Sequence, residues 1–138
     1  MQTNIFKKYY IAIVEGILNK KIGIIDAPIA RKENSIIERC VDNKGDYAIT
    51  QYSVIKELDD ISLIYLYLQT GRTHQIRVHM AYIGHPIVGD SLYGITSNLI
   101  NRQALHACKV SFIHPISKKN MNLESDIPQD MQLILHMS

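Results

Sequence analysis

Cysteine is scarce: Cys40 and Cys108 stand far apart in a chain of 138 residues. They form no C-x-x-C pair and no disulfide framework, which points to a reducing cytoplasm. No apolar run approaches the roughly 20 residues that span a bilayer, so no membrane partner is expected. Met1–Lys8 is polar and basic, and Tyr9–Val14 is too short for the apolar core of a signal peptide. Charge of neither sign dominates, because 15 Lys and Arg against 13 Asp and Glu leave +2. That balance permits a nucleic-acid partner without arguing for one. The basic pairs Lys7-Lys8, Lys20-Lys21, Arg31-Lys32 and Lys118-Lys119 read as solvated turns. There is no internal repeat and no low-complexity segment. A hydrophobic content of 46% suits one domain, or most of one, with a real core.

What is there is a succession of β-forming runs and one strong helical pattern. Tyr9–Glu15 reads as a strand ending at Gly16. Lys21–Ala30, rich in Gly and Ile, reads as an irregular extended segment, with Pro28 favouring an edge or turn. Glu33–Gly45 is polar and closes on the turn Asn43-Lys44-Gly45. Asp46–Lys56 alternates, with Ala48, Thr50, Tyr52 and Val54 on one side. Glu57–Asp60 makes a turn into the strand Ile61–Leu68, giving an antiparallel hairpin. Thr73–Ile83 is a helix by the spacing of Ile76, Met80 and Ile83, with Thr73 as N-cap and Gly84 and Pro86 as the stop. His85–Gly94 reads as a loop, Ala104–Phe112 as a strand, and Ile127–Met137 as a short terminal helix with Pro128 in its first turn. The pattern predicts an α+β fold: a mixed, mostly antiparallel sheet with flanking helices.

Several chemistries find little support. His74 and His79 lie five residues apart on the predicted helix, so at about 100° per residue they point roughly 140° away from each other. The six histidines show no H-E-x-x-H or Cys/His grouping, and no metal is expected. Thr70-Gly71-Arg72-Thr73 carries one glycine, short of a nucleotide-binding P-loop. Cys108 lacks a nucleophile signature and reads as a buried strand residue. The segment Leu68–His79 stands out instead. It joins a strand to a helix through a glycine turn, with Arg72, His74, Arg77 and His79 gathered at the junction. Such a corner suits an anionic ligand. Arg77, between Ile76 and Val78, either sits at the core edge beside a carboxylate or phosphate or snorkels into water.

Six segments in order then resemble the RluA-type RNA pseudouridine synthases. They are Lys8-Tyr9-Tyr10-Ile11-Ala12-Ile13-Val14-Glu15-Gly16 (K-x-Y-x-A-x-V-x-G), Pro28-Ile29-Ala30-Arg31 (P-I-x-R) and Ala48-Ile49-Thr50-Gln51-Tyr52 (A-x-T-x-Y). Next come Thr70–His79 (T-G-R-T-H-Q-[IL]-R-V-H), Gly84–Gly94 (G-H-P-[IL]-x-G-D-x-x-Y-G) and Arg102–Ala107 (R-x-A-L-H-A), the last followed by His114-Pro115.

The resemblance implies isomerisation of uridine to pseudouridine in ribosomal or transfer RNA, with no cofactor or metal. It implies that Tyr10 packs on the base and accepts the C5 proton, and that Arg77 pairs with the catalytic aspartate. Ile76 would wall the base pocket, and Arg72 and His74 would support the pocket or the RNA. Gly89-Asp90 and Tyr93-Gly94 are as well explained as turn residues. The family's H-R-L-D segment, which carries the essential aspartate, does not occur in this chain, and no other aspartate has that context. The chain therefore reads as the C-terminal part of a catalytic domain, inactive alone. Arg77 would be left unpaired or holding a solvent anion, and an open sheet edge would favour self-association. Two other readings stay open: a non-catalytic RNA-binding or scaffolding module of the same fold, and an unrelated phosphate-binding domain built on the helix at Thr73.

Overall fold

The computed structural model describes residues 7–68 and 70–136. In chain order it contains β1 (Lys7–Glu15), β2 (Ile22–Asp26), β3 (Ile29–Arg31), β4 (Arg39–Val41), β5 (Ile49–Leu58) and β6 (Ile61–Leu68). After these come α1 (Gln75–Tyr82), β7 (Leu105–Ile113), β8 (Asn120–Glu124) and α2 (Gln129–Leu135). Six strands form one sheet in the order β2-β5-β6-β1-β7-β8, and β3 and β4 form a separate hairpin. Every ladder between the described strands is antiparallel. The mostly antiparallel α+β class is thus observed, without a parallel pair among the described residues.

Some boundaries differ from expectation. The β5–β6 turn tightens to Asp59-Asp60, because Asp59 adopts a positive φ of 47° and lets Leu58 pair with Ile61. The extended stretch after Gly16 resolves into β2 and β3, and the polar stretch that follows holds β4. The edge strand β8 was not expected; its short, mostly exposed Asn120–Glu124 has no alternating apolar face to announce it. Cys108 is half-buried rather than buried, because a register shift opposite Tyr9 and Tyr10 leaves it unpaired as the extra residue of a bulge.

The helix cap also differs. Thr73 does not cap α1. His74 takes that place in a left-handed conformation, with φ 57° and ψ 21°, and no side chain caps the first turn. The end is as expected: Gly84, at φ 90°, donates to Ala81 O at 3.0 Å while His85 N donates to Met80 O at 2.8 Å, the paired bonds of a Schellman stop.

Alternation along the strands places the core. Tyr10 and Ala12 of β1 face Leu66 and Ile64 of β6, and Thr50 and Tyr52 of β5 face Leu68 and Leu66. Ile76 and Met80 of α1 join this cluster, and Val78 packs in a second one with Ile29 and Ala48 beneath the β3–β4 hairpin. Buried on two sides, α1 lies between the sheet and the hairpin, and a single apolar stripe no longer describes it.

Polar groups lock it there. The Thr70 hydroxyl donates to Gln75 Oε1 at 2.6 Å, and Gln75 Nε2 donates to Ile49 O at 2.9 Å and Thr50 Oγ1 at 3.0 Å. Thr50 lies 2.7 Å from His79 Nδ1, and His79 Nε2 lies 2.8 Å from Ala27 O. A carbonyl only accepts, so Nε2 carries the proton, Nδ1 accepts, and Thr50 donates to it. Thr50 and His79 are fully buried. Burial lowers the His79 pKa, only partly offset by the bond to Ala27 O.

A neutral His79 in the folded chain contributes stability that is fully present above the unfolded histidine value of about 6.5. That contribution is lost as pH falls from there through the lower folded value. Urea unfolding at a series of pH values should show this loss, and His79→Ala should reduce it and cost about 3 kcal/mol at pH 8.

Candidate active site

The α1 N-terminus, β1, the end of β6 and the start of β7 surround a cleft of about 390 Å³, a size suited to a small ligand or one base. Tyr10, Arg72, His74, Ile76 and Arg77, the residues singled out from the sequence, all line it, together with Lys8, Leu68, Gly71, Gln75, Gln103 and Leu105. Tyr10 faces Ala107 of β7 and Tyr9 faces Lys109, across the bulge. By alternation along β1, Tyr9 lies on the other side of the sheet, stacked on Tyr65 at 5.7 Å between ring centroids. Ile76 is 3% exposed and forms an apolar wall. Burial raises the Tyr10 pKa, so the phenol is held neutral.

Arg77 is neither unpaired nor snorkelling. Its Nε donates to Asp90 Oδ2 at 2.9 Å and its Nη2 to Asp90 Oδ1 at 2.8 Å. Asp90 is wholly buried, and its Oδ1 also accepts from the backbone N–H groups of Leu92 and Tyr93. The expectation of an orphan Arg77 fails because the chain supplies a second carboxylate 13 residues on, in a turn that sequence reading treated as structural. Burial alone would raise the Asp90 pKa, but the Arg77 bonds and the two backbone donors overcome it and hold the carboxyl below its usual range. The hydrogen bond to Asp90 in turn raises Arg77, against the opposing effect of burial.

Tyr93 completes the arrangement. Its ring lies under the Arg77 guanidinium, 5.1 Å from the centroid, and its hydroxyl lies 2.7 Å from His74 Nδ1. The same oxygen accepts from Arg39 N–H at 2.9 Å. It thereby holds the left-handed His74 and ties the β3–β4 hairpin to the helix start. Burial, then the nearby Arg77 and Arg39 charges, lower the His74 pKa. Neutral His74 leaves Arg77 as the main charge inside the cleft, with Lys8 and Arg72 at its rim. Arg72 is anchored by its Nε on Tyr47 O at 2.7 Å.

A neighbouring cleft of about 460 Å³ shares Gly71 and Arg72 with the first and adds Arg31, Arg39, Asp46 and Thr73. A larger cleft, about 650 Å³ between Leu18, Ile25, Tyr52 and Ile83, lies elsewhere and holds none of these arginines. Among the described residues, no three His, Cys, Asp or Glu side chains converge as a metal site, and no helix is long and apolar enough to cross a membrane. Lys8, Gln103, Asp90 and Tyr93 were not given site roles from sequence. Lys8 and Gln103 sit inside the K-x-Y and R-x-A-L-H-A segments, and Asp90 and Tyr93 are spaced as an aspartate turn that binds N–H groups two and three residues on.

With the fold and this cleft defined, the chain belongs to the RNA pseudouridylate synthase family, whose sequence profile matches residues 1–82. It is 47% identical over 134 residues to the uncharacterised RNA pseudouridine synthase YjbO of Bacillus subtilis (strain 168), covering 97% of this chain and 47% of that protein. It is 43% identical to ribosomal large subunit pseudouridine synthase D of Zymomonas mobilis subsp. mobilis, covering 93% of this chain and 44% of that protein. Among solved structures, human RNA pseudouridylate synthase domain containing 1 superposes with a TM-score of 0.77 at 27% identity, covering 88% of this chain and 54% of that one. The chain spans a little under half the length of the curated relatives it matches.

Removing Arg77 leaves a buried carboxylate without its cation, a loss of about 3 kcal/mol. Arg77→Ala should therefore lower the urea midpoint more than Arg72→Ala, whose guanidinium is exposed and bonded to one carbonyl.

Proposed function

We propose that this chain supplies the tyrosine–arginine side of an RNA pseudouridine synthase active site, working on uridine in ribosomal or transfer RNA in the cytoplasm. In this reading residues 1–138 are part of the catalytic domain. The observation that carries it is the convergence of Tyr10, Ile76 and Arg77 on one cleft, with Arg72 and His74 at its mouth. The relatives named for ribosomal large-subunit modification support RNA as substrate.

Isomerisation breaks the bond from C1′ to the base, turns the base, and rejoins it through C5. A carboxylate must assist cleavage, and a group must take the C5 proton. The base must also leave its stack for a pocket shielded from water. Ile76 and Leu105 offer it an apolar bed, and the neutral Tyr10 ring is free of a charge that would repel the base. For Tyr10 to accept the C5 proton, its own phenolic proton must pass on in the same step, and N1 of the turned base, which gains a proton as C5 loses one, is its destination. Arg77 holds the assisting carboxylate ionised and oriented. The second cleft, with Arg31, Arg39 and Arg72, suits the phosphates flanking the target, and binding there weakens as salt rises. No H-R-L-D aspartate is present, so the chain is inactive alone. The outer edges of β2, with exposed Ile22 and Ile24, and of β8 support self-association of the isolated chain.

Tritium release from RNA labelled at uridine C5 tests this. The chain alone should be silent. Mixed with a separate polypeptide carrying the H-R-L-D segment, it should release tritium, and Tyr10→Phe should cut that release by about 100-fold or more. Release by the chain alone would overturn the dependence on a second carboxylate. Silence from an associated mixture would favour a non-catalytic RNA-binding module.

A further inference from the structure

Strand register builds a row of side chains that the cleft does not use. Ile24 of β2 pairs with Gln51 of β5, Gln51 with Tyr67 of β6, Tyr67 with Tyr9 of β1, and Tyr9 with Lys109 of β7. Directly opposed residues share a face, so these five lie together on the side of the sheet opposite Tyr10. A second row beside it runs through Ile22, Ser53, Tyr65 and Ile11. Tyr9 stacks on Tyr65 and lies 5.1 Å from the Tyr67 ring, and the Lys109 ammonium is 5.4 Å from the Tyr9 centroid. Ile22, Ile24, Gln51, Ser53, Tyr65 and Tyr67 line a groove of about 280 Å³. We infer that this outer face is a second RNA-binding surface, which takes single-stranded nucleotides flanking the target uridine. The inference goes beyond the cleft and rests on the function proposed above only in taking RNA as the substrate.

The chemistry of the face selects that occupant. Bases stack on aromatic rings whatever their sequence, and a sheet of four strands carrying such rings holds two or three of them. The row from Ile24 to Lys109 crosses four strand spacings, about 19 Å, which suits that length. Gln51 and Ser53 offer donors and acceptors to base edges. Lys7 and Lys56 share this face with Lys109, opposite Ser111 and Leu63, and no described carboxylate forms an ion pair with any of the three. Asp26 and Glu124 also lie on this face, but on its two edge strands; the lysines stand on the strands that carry or flank the tyrosines. A protein strand added at the β2 edge would cover Ile22 and Ile24, which are 77% and 67% exposed, and leave the tyrosines two and three strands away unused. Lys7 and Lys8 connect the two faces. They open β1 rather than a turn, and alternation sends Lys7 to the tyrosine face and Lys8 into the cleft with Tyr10. An RNA strand with its target base in the cleft meets both ammonium groups as it rounds this end of the sheet.

Isoleucine methyl NMR on the full chain reads the two faces separately, because Ile22 and Ile24 line the groove and Ile76 lines the cleft. On titration with oligouridylate, the Ile22 and Ile24 methyls should move saturably. An abasic oligonucleotide of the same length should bind there about tenfold or more weakly, since it has no base to stack. Tyr67→Leu should weaken the Ile22 and Ile24 response to oligouridylate by a similar factor and leave the Ile76 response in place. If Tyr67→Leu does not fold, Lys7→Gln and Lys109→Gln keep the test open. Each should lower the slope of log affinity against log salt, read at Ile22 and Ile24, by about 0.7. Movement of Ile76 alone, equal binding of the abasic oligonucleotide, or an unchanged slope in both lysine variants overturns the inference. Ile22 and Ile24 methyls that move with protein concentration and not with RNA reveal a second copy on the β2 edge and overturn it as well. A groove that responds to oligouridylate and depends on Tyr67, in a chain whose two-polypeptide mixture releases no tritium, supports the RNA surface and rejects the isomerase reading instead.

Discussion

The seating of α1 depends on a buried run of hydrogen bonds from Thr70 through Gln75, Thr50 and His79 to Ala27 O. Its direction is dictated by chemistry: Ala27 O and Gln75 Oε1 can only accept and Gln75 Nε2 can only donate, so reversing a single member would strand a buried polar atom. An apolar stripe would let the helix slide or rotate by a fraction of a turn at little cost. A directional polar chain does not, because each partner has to meet a particular atom. It holds β2, β5 and the loop before α1 in one arrangement, and the helix start is placed as a result.

That placement explains how a site with several cations stays ordered. The positive-φ His74 is a costly conformation for a residue with a side chain. It is retained because Tyr93 bonds its ring while Val78 N–H bonds its carbonyl at 2.9 Å. Tyr93 also belongs to the turn that delivers Asp90 to Arg77. One loop thus neutralises the buried arginine, supports its face and restrains the strained residue that opens the helix.

Much of this was legible in the sequence. Alternation grouped Ala48, Thr50, Tyr52 and Val54 on one side; the first three are buried and Val54 is half-buried, and the run Ile61–Leu68 is β6 at both ends. The cleft residues were reached through ordered motifs: spacing alone left Arg77 undecided between a partnered and a snorkelling arginine. The partner itself was missed because Asp90 looks like any turn aspartate, and only three-dimensional closure brings it to the helix. The cap was misread for a related reason. Thr73 fits an N-cap by type, yet Gln75 reaches back to bond Arg72 N–H at 3.1 Å, and the chain turns at His74. The edge strand β8 carries little periodic signal, since pairing to β7 rather than burial defines it.

The bulge at Cys108 sets the spacing between the two ends of β7. Ala104 donates to Val88 O and accepts from Ile13 N–H, so one end is pinned, while Val110–Ile113 are pinned to β8. Between these anchors the strand holds one residue more than its partner β1 needs. Loss of Cys108 alone would make Ala107 and Lys109 consecutive opposite Tyr10 and Tyr9, as β1 already pairs them, and would straighten the strand with both anchors kept. Loss of a second residue between the anchors is different: one anchor would have to shift by a position, turning its side chains to the opposite face of the sheet.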